Sequence, residues 1–327
     1  MKKDKFNPKM QKLKQMQSLP LEQKIIYTRS RIKEFLNRME NCVVSFSGGV
    51  DSTVLLHLVR EVDPTIKGVF VNTGLEYPEI VRFVKSVENV DIVRPKMTYK
   101  QIIEKYGYPF PTKQVATQLN EVKHSKSEAL KTLRLTGVRP NGKYSPLSKL
   151  PDKWQFLLDA PFDVSSKCCS FLKKYPLEQY SRKNKVYHFV GMMAEESSQR
   201  IESYLRYSCN AYEQKKPTSR PLMFWTKQDV LQFLKKYDIP YCKSVYGEIV
   251  DCNGELKFSK VDRTGCTFCM FGVHLEPTPN RFQTMQKDNP KMYDYCMNEL
   301  GIKKVLEYCG IPYEYKVQGS IPFEYEK

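Results

Sequence analysis

The sequence predicts an α/β fold: a doubly wound, mostly parallel sheet with helical additions and a smaller C-terminal metal-binding region. Three observations carry that prediction. Short apolar strands alternate with amphipathic helices between about residues 40 and 100. A glycine turn, Ser47-Gly48-Gly49, stands between the first strand and the helix after it. Four of the ten cysteines fall in two close pairs, Cys168-Cys169 and Cys266-x-x-Cys269.

The elements follow in order. Residues 1–20 are Lys-rich and are expected to form a mobile basic arm. Leu21, Ile25, Ile26, Thr28, Ile32, Phe35 and Leu36 recur at helical spacing and predict a helix. Cys42–Phe46 is a short apolar strand, and Asp51–Val62 is a helix whose buried face is Val54, Leu55, Leu58 and Val59. A second strand ends at Thr73-Gly74, a helix spans Tyr77–Val87, and a third strand begins at Val90. Residues 107–160 interrupt the pattern and read as a basic insertion or lid. Lys185–Ala194 predicts another strand, and Thr226–Asp238 another helix. The expected organisation is an arm over 1–20, an α/β domain over 21–215, and a C-terminal region over 216–327 that carries the C-x-x-C.

Composition bounds the partners. At 41% hydrophobic and 27% charged, the chain can bury a sizeable core. No apolar run approaches the ~20 residues that span a bilayer. The basic N-terminus has no apolar stretch behind it, so no export signal is read and a cytoplasmic location is expected. In that compartment paired cysteines point to metal or redox chemistry rather than disulfides. The net charge is +17, with excesses of five over residues 1–25 and seven over residues 100–153. Clustered positive charge of this kind points to DNA or RNA as a partner.

The glycine turn is the strongest chemical signal. Two glycines after a strand let backbone N–H groups converge, and the helix N-terminus adds partial positive charge, which together make a phosphate cradle. Ser47 and Ser52 can add hydroxyls. The loop has no Lys and lacks the Walker spacing, which argues against an ordinary P-loop NTPase.

These residues bring out a resemblance. Ser45 to Ser52, SFSGGVDS, resembles the PP-loop of the adenine nucleotide alpha-hydrolase superfamily, whose fold is Rossmann-like. VNTGLEYPE, KCCSFLKKYPL, GMMAEESSQR and RPLMFWTKQDVLQFL are similar to successive motifs of the phosphoadenosine phosphosulfate (PAPS) reductase family. The matches run in family order from about residue 40 to 270. The resemblance implies an adenine nucleotide held, with Mg²⁺, at Ser45, Ser47, Gly48, Gly49, Asp51, Ser52, Thr73, Gly74 and Arg200.

Spacing alone lets Cys168, Cys169, Cys266 and Cys269 form a four-thiolate site for zinc or an iron–sulfur cluster. The resemblance favours a [4Fe-4S] cluster with Lys173 near it and zinc as the alternative. Cys209 is a candidate to displace one ligand, and the other five cysteines read as core thiols. His57 reads as packed in its helix. His274, Glu76, Glu195 and Glu196 are weaker candidates for the site.

The pattern also departs from the family. Met193 and Leu172 stand where the motifs carry Arg, which removes positive charge that could hold a sulfate or a 3′-phosphate. The residues given end in GSIPFEYEK, without the cysteine of the reductases' tail motif, and Cys309-Gly310 is the nearest substitute. The leading expectation is therefore an ATP pyrophosphatase that adenylylates an acceptor, nucleic acid suspected, for sulfur transfer. It would draw on a sulfur- or electron-donor protein. The alternatives are a sulfonucleotide reductase that releases sulfite and a non-catalytic nucleotide- or cluster-sensing regulator.

Overall fold

A computed structural model describes residues 7–315. In chain order the main elements are α1 (Pro8–Gln17), α2 (Leu21–Leu36), β1 (Cys42–Ser45), α3 (Val50–Val62), β2 (Lys67–Val71), α4 (Pro78–Ser86) and β3 (Val90–Val93). Next come α5 (Tyr99–Tyr106), α6 (Lys113–His124), α7 (Glu128–Thr136), α8 (Tyr175–Asn184), β4 (Tyr187–Val190), α9 (Ser198–Tyr207), β5 (Asn210–Ala211) and β6 (Thr218–Ser219). The chain continues through α10 (Lys227–Lys236), α11 (Lys243–Tyr246), β7 (Ile249–Cys252), β8 (Glu255–Phe258), α12 (Arg281–Asp288), α13 (Pro290–Asp294) and α14 (Ile302–Tyr308).

The described residues divide into two units, 7–96 with 173–267 and 97–172 with 268–315. This differs from the expected division. Residues 216–267 belong to the first unit because β6 pairs with β4 and because Phe224 and Trp225 are buried in that unit's core. The insertion is also longer than expected and forms the second unit together with residues 268–315.

The first unit holds a sheet of order β3-β2-β1-β4-β6-β5, parallel except at β5. Its strands are short and mostly apolar, as strands covered on both faces are. The order reverses at β1: β2 lies on one side and β4 on the other, so the loop after β1 opens at the switch point where α/β sheets bind ligands. The α3 face Val54, Leu55, Leu58, Val59 is buried as the periodicity requires. At its far end Arg60 donates to the Ile66, Glu88 and Asn89 carbonyls and so ties α3 to the strands beside it. A β7–β8 hairpin stands apart from the sheet.

Residues 8–17 of the expected mobile arm form α1. Asn7 caps it, Pro8 occupies the first turn where its missing N–H costs nothing, and Leu13 is buried in the first unit's core with Met10 and Met16 against it. Residues 1–6 lie outside the described residues.

In the second unit, Tyr99 donates to the Phe268 carbonyl at 3.1 Å and Tyr108 to the Leu300 carbonyl at 3.0 Å. Phe110 packs edge-on against Trp154 with ring centroids 5.4 Å apart. The two tyrosine hydrogen bonds join the 97–172 segment to residues 268–315. No helix among the described residues is long and apolar enough to cross a membrane.

Candidate functional site

The loop after β1 is built from its own side chains. Gly48 has φ +73°, and a Cβ there would lie 2.7 Å from Val84 Cγ2 and 2.8 Å from Ile80 Cγ2. The turn therefore needs glycine for conformation and for the close approach of α4. Ser52 Oγ donates to the Gly49 carbonyl at 2.8 Å and accepts from the Ser47 N–H at 3.1 Å. Ser47 Oγ lies 3.0 Å from Ser52 Oγ and accepts from the Gly49 N–H at 3.3 Å. The hydroxyls expected to face a ligand thus brace the loop, and Ser52 is buried. The N-terminus of α3 stands behind it and offers orphan amides and positive potential.

Gly191, just after β4, packs on the first turn of α3. A Cβ there would lie 3.1–3.2 Å from backbone atoms of Asp51 and Ser52. Asp51 occupies that turn. Burial pushes its carboxyl above the usual range, an effect that Arg263, Arg200 and Lys227 offset and Glu195 reinforces. Arg200 and Arg263 both pair with Glu196, which also accepts from the Met193 N–H at 3.1 Å. Both guanidiniums therefore place charge on the carboxyl at the head of α3. Tyr246 Oη lies 2.8 Å from Thr264 Oγ1 beside the same loop, near where a Cβ on Gly49 would fall.

A cleft of about 210 Å³ opens beside the loop. Ser45, Ser47, Glu76, Lys173 and Thr264 supply its polar lining, while Val69, Phe70, Val71, Ile80 and Leu177 supply apolar walls. Glu76 is held in place by Thr73, whose N–H and hydroxyl donate to the carboxylate at 2.9 and 2.7 Å. Gly74, at φ +78°, completes that turn. Thr267 binds the Leu75 carbonyl through its N–H at 2.9 Å and its hydroxyl at 2.7 Å, which anchors the segment carrying Thr264 and Gly265.

The structure thus brings together Ser45, Ser47, Gly48, Gly49, Asp51, Ser52, Thr73 and Arg200 at one end of the sheet. Lys173, expected beside a cluster, lines this cleft. Arg263, Thr264 and Tyr246 were missed by sequence reasoning. They lie far along the chain with no periodic or motif signal of their own, and only their position immediately before Cys266 marks Arg263 and Thr264. Met193, where the resemblance implies an arginine, is buried in the core.

The cysteines behave differently. Cys168 and Cys169 have sulfurs 4.0 Å apart, close to the ~3.8 Å edge of a tetrahedron with Zn–S bonds of ~2.3 Å. Burial raises the Cys269 thiol pKa, Cys169 raises it further, and Arg281 and Lys113 oppose the rise. These sulfurs have the chemistry of a thiophilic centre. Cys266 belongs to the first unit and the other three to the second. Among the described residues no three His, Cys, Asp or Glu side chains are gathered as ligands of one ion.

Other expectations resolve by burial. Cys209 is packed in the first unit's core, and burial pushes its thiol up to about 12. Cys42, Cys242 and Cys296 are buried as expected, whereas Cys252 is exposed because it ends a strand of the isolated hairpin. Cys309 caps α14, and burial pushes its thiol up to about 12, far from a thiolate nucleophile. His57 is half-buried on α3, edge-on to Phe233 with ring centroids 5.8 Å apart and 3.3 Å from Glu61, as a packed residue is. His274 sits edge-on to Trp154 at 5.0 Å in the second unit with its Nδ1 buried and unpaired among the described residues.

A family model described as the phosphoadenosine phosphosulfate reductase domain matches residues 41–145 and 142–270. The chain is 24% identical over 202 residues to an adenosine 5′-phosphosulfate reductase of Bacillus mycoides (strain KBAB4), covering 62% of this chain and 66% of that one. It is 26% identical over 209 residues to one of Bacillus cereus (strain 03BB102), covering 64% and 68%. It spans about two thirds of the length of these relatives. A phosphoadenylyl-sulfate (PAPS) reductase from Candida auris, solved as a phosphate complex, overlays with TM-score 0.40 at 14% identity, covering 70% of this chain and 89% of that one.

Proposed function

The chain belongs to the phosphoadenosine phosphosulfate reductase domain family, and from that premise we propose that it is an adenine-nucleotide enzyme that cleaves ATP between the α- and β-phosphates. The observation that carries this reading is the cleft at the end of β1. Its braced glycine loop, helix N-terminus and two arginines around Asp51 suit a polyphosphate. Asp51 and Glu76 are the carboxylates at hand for Mg²⁺. An acceptor oxygen attacks the α-phosphorus, the bond to the bridging oxygen breaks, and pyrophosphate leaves. A sulfur nucleophile delivered by a donor protein then displaces AMP from the adenylylated acceptor. The net charge of +17 and its concentration over residues 1–25 and 100–153 support a nucleic-acid acceptor.

A thiolate-bound centre at Cys168, Cys169, Cys266 and Cys269, [4Fe-4S] or alternatively zinc, is proposed on residue type and spacing. Metal analysis and the visible spectrum of anaerobically purified protein test it.

The second reading is a sulfonucleotide reductase, favoured by the names of the relatives. Buried Met193 and the high pKa of Cys309 weigh against it. The deciding experiment incubates the protein anaerobically with α-labelled ATP and Mg²⁺, with and without bulk tRNA or DNA, and in parallel with adenosine 5′-phosphosulfate and a thiol. AMP and pyrophosphate from ATP, stimulated by nucleic acid, are expected. Sulfite release without ATP cleavage establishes the reductase instead.

A further inference from the structure

A hydrogen-bond chain behind the cleft ends at Ser45 in its lining, and its direction can be read from the far end. Ser181, on α8, lies one helical turn after Leu177 and donates its only hydroxyl proton to the Leu177 carbonyl at 2.6 Å. The same oxygen lies 2.6 Å from His188 Nε2. With its proton committed to a carbonyl, which can only accept, Ser181 Oγ must accept from Nε2–H. A neutral imidazole carries one N–H, so His188 Nδ1 is then an acceptor. Nδ1 lies 2.9 Å from Ser45 Oγ, and Ser45 therefore donates to it.

The fold makes this chain rigid. His188 pairs in register with Val43 on β1, so it shares a sheet face with Ser45 two residues on. Burial lowers the imidazole pKa to about 4, which keeps the ring neutral at ordinary pH. The only proton on Ser45 points inward, and lone pairs alone remain for the cleft that Ser45 lines.

We propose that Ser45, oriented by His188, is an acceptor-only contact that selects a nucleoside by a donor group it carries. That donor is the 6-amino group of adenine or a ribose hydroxyl. The proposal rests on the nucleotide reading above and deepens it. Phe70, Val69, Val71, Ile80 and Leu177 make apolar walls against which a few placed polar groups, Ser45 among them, set orientation. An inosine nucleotide places a carbonyl where adenine places its amine, so an acceptor would face an acceptor. A freely rotating serine could accommodate both; one locked by His188 cannot. Ser45 touches the ligand, and His188 is the positioning residue.

The test is equilibrium binding of ATP, ITP, 2′-deoxy-ATP and 3′-deoxy-ATP to the full chain with Mg²⁺. The panel is run on wild type, Ser45→Ala, His188→Leu and His188→Asn. Tripolyphosphate, which lacks a nucleoside, reports whether the Ser47–Ser52 loop has kept its shape in each variant. Wild type is expected to prefer ATP about tenfold over the analogue lacking the contacted donor. ITP identifies the base and the deoxy analogues identify the ribose. His188→Leu is expected to bring that preference within about twofold. His188→Asn should restore it, because its side-chain carbonyl accepts near the Nδ1 position. Equal binding of all four nucleotides by wild type overturns the inference and leaves the nucleotide reading intact. So does a preference that survives in His188→Leu. Binding of tripolyphosphate but of no nucleotide overturns both.

Discussion

Arg263 reaches back across 67 residues of sequence to pair with Glu196, whose side chain is 8% exposed. Glu196 holds Arg200 as well, so one carboxylate gathers two guanidiniums that both act on Asp51. On the proposed reading, a polyphosphate beside the Ser47–Ser52 loop meets charge already in place. Arg263→Gln is expected to weaken Mg·ATP binding about tenfold or more, the scale of one charge-assisted hydrogen bond. Calorimetric titration checks it. Unchanged affinity would remove Arg263 from the site.

The glycines of the site separate conformation from space. Gly48→Ala incurs the left-handed backbone and a clash with Val84 and Ile80, together about 2–5 kcal/mol. Gly74→Ala has the same backbone problem in open space and is expected to lose only about 1–2 kcal/mol. Urea denaturation of the two variants gives the comparison. Equal losses would mean that α4 moves aside at little cost.

Lys24 is 2% exposed, with its Nζ 2.6 Å from Asp229 and 2.6 Å from the Gln17 carbonyl. Lys24→Met leaves Asp229 buried without its cation and is expected to cost about 3–5 kcal/mol. Adding Asp229→Asn should recover part of that loss. A single-variant loss below about 1 kcal/mol, the scale of a surface pair, would contradict the burial argument.

His188 supplies a pH dependence. Its folded pKa, about 4, lies below the ordinary 6.5, because burial disfavours the charged ring. The unfolded chain therefore takes up a proton first as pH falls. Stability is full above about 6.5 and is lost toward 4, by about 3 kcal/mol in all. Urea midpoints measured over that range for wild type and His188→Asn should converge at low pH. Parallel curves would show that the ring is not held neutral.

Thiol reactivity should follow burial. Cys252 is exposed and is expected to alkylate first. Cys42, Cys209, Cys296 and Cys309, each pushed up to about 12 by burial, should label only on unfolding. Mass spectrometry of a timed iodoacetamide reaction at neutral pH resolves them. Early labelling of Cys309 would revive it as a nucleophile for the reductase reading.

Much of the frame was legible because it is local. The period of Val54, Leu55, Leu58 and Val59 marks a buried helix face whatever packs on it, and Gly48-Gly49 after an apolar strand marks a tight turn. The unit boundaries were not legible. β6 has only two residues, too few for a strand signal, yet its pairing with β4 draws residues 216–267 into the first unit. α1 was hidden by its lysines, and Leu13 with two methionines proved enough to dock it.

The α/β alternation, the glycine loop and the two close cysteine pairs can be read from the chain alone, because each depends on residues within a turn or two of one another. It takes the folded chain to show that Arg263 joins Arg200 on Glu196, that Lys173 lines the cleft, and that Ser45 gives its proton to His188. Those relationships join side chains tens to more than a hundred residues apart. Strand order and sheet register set which of them meet, and a linear pattern does not encode either one.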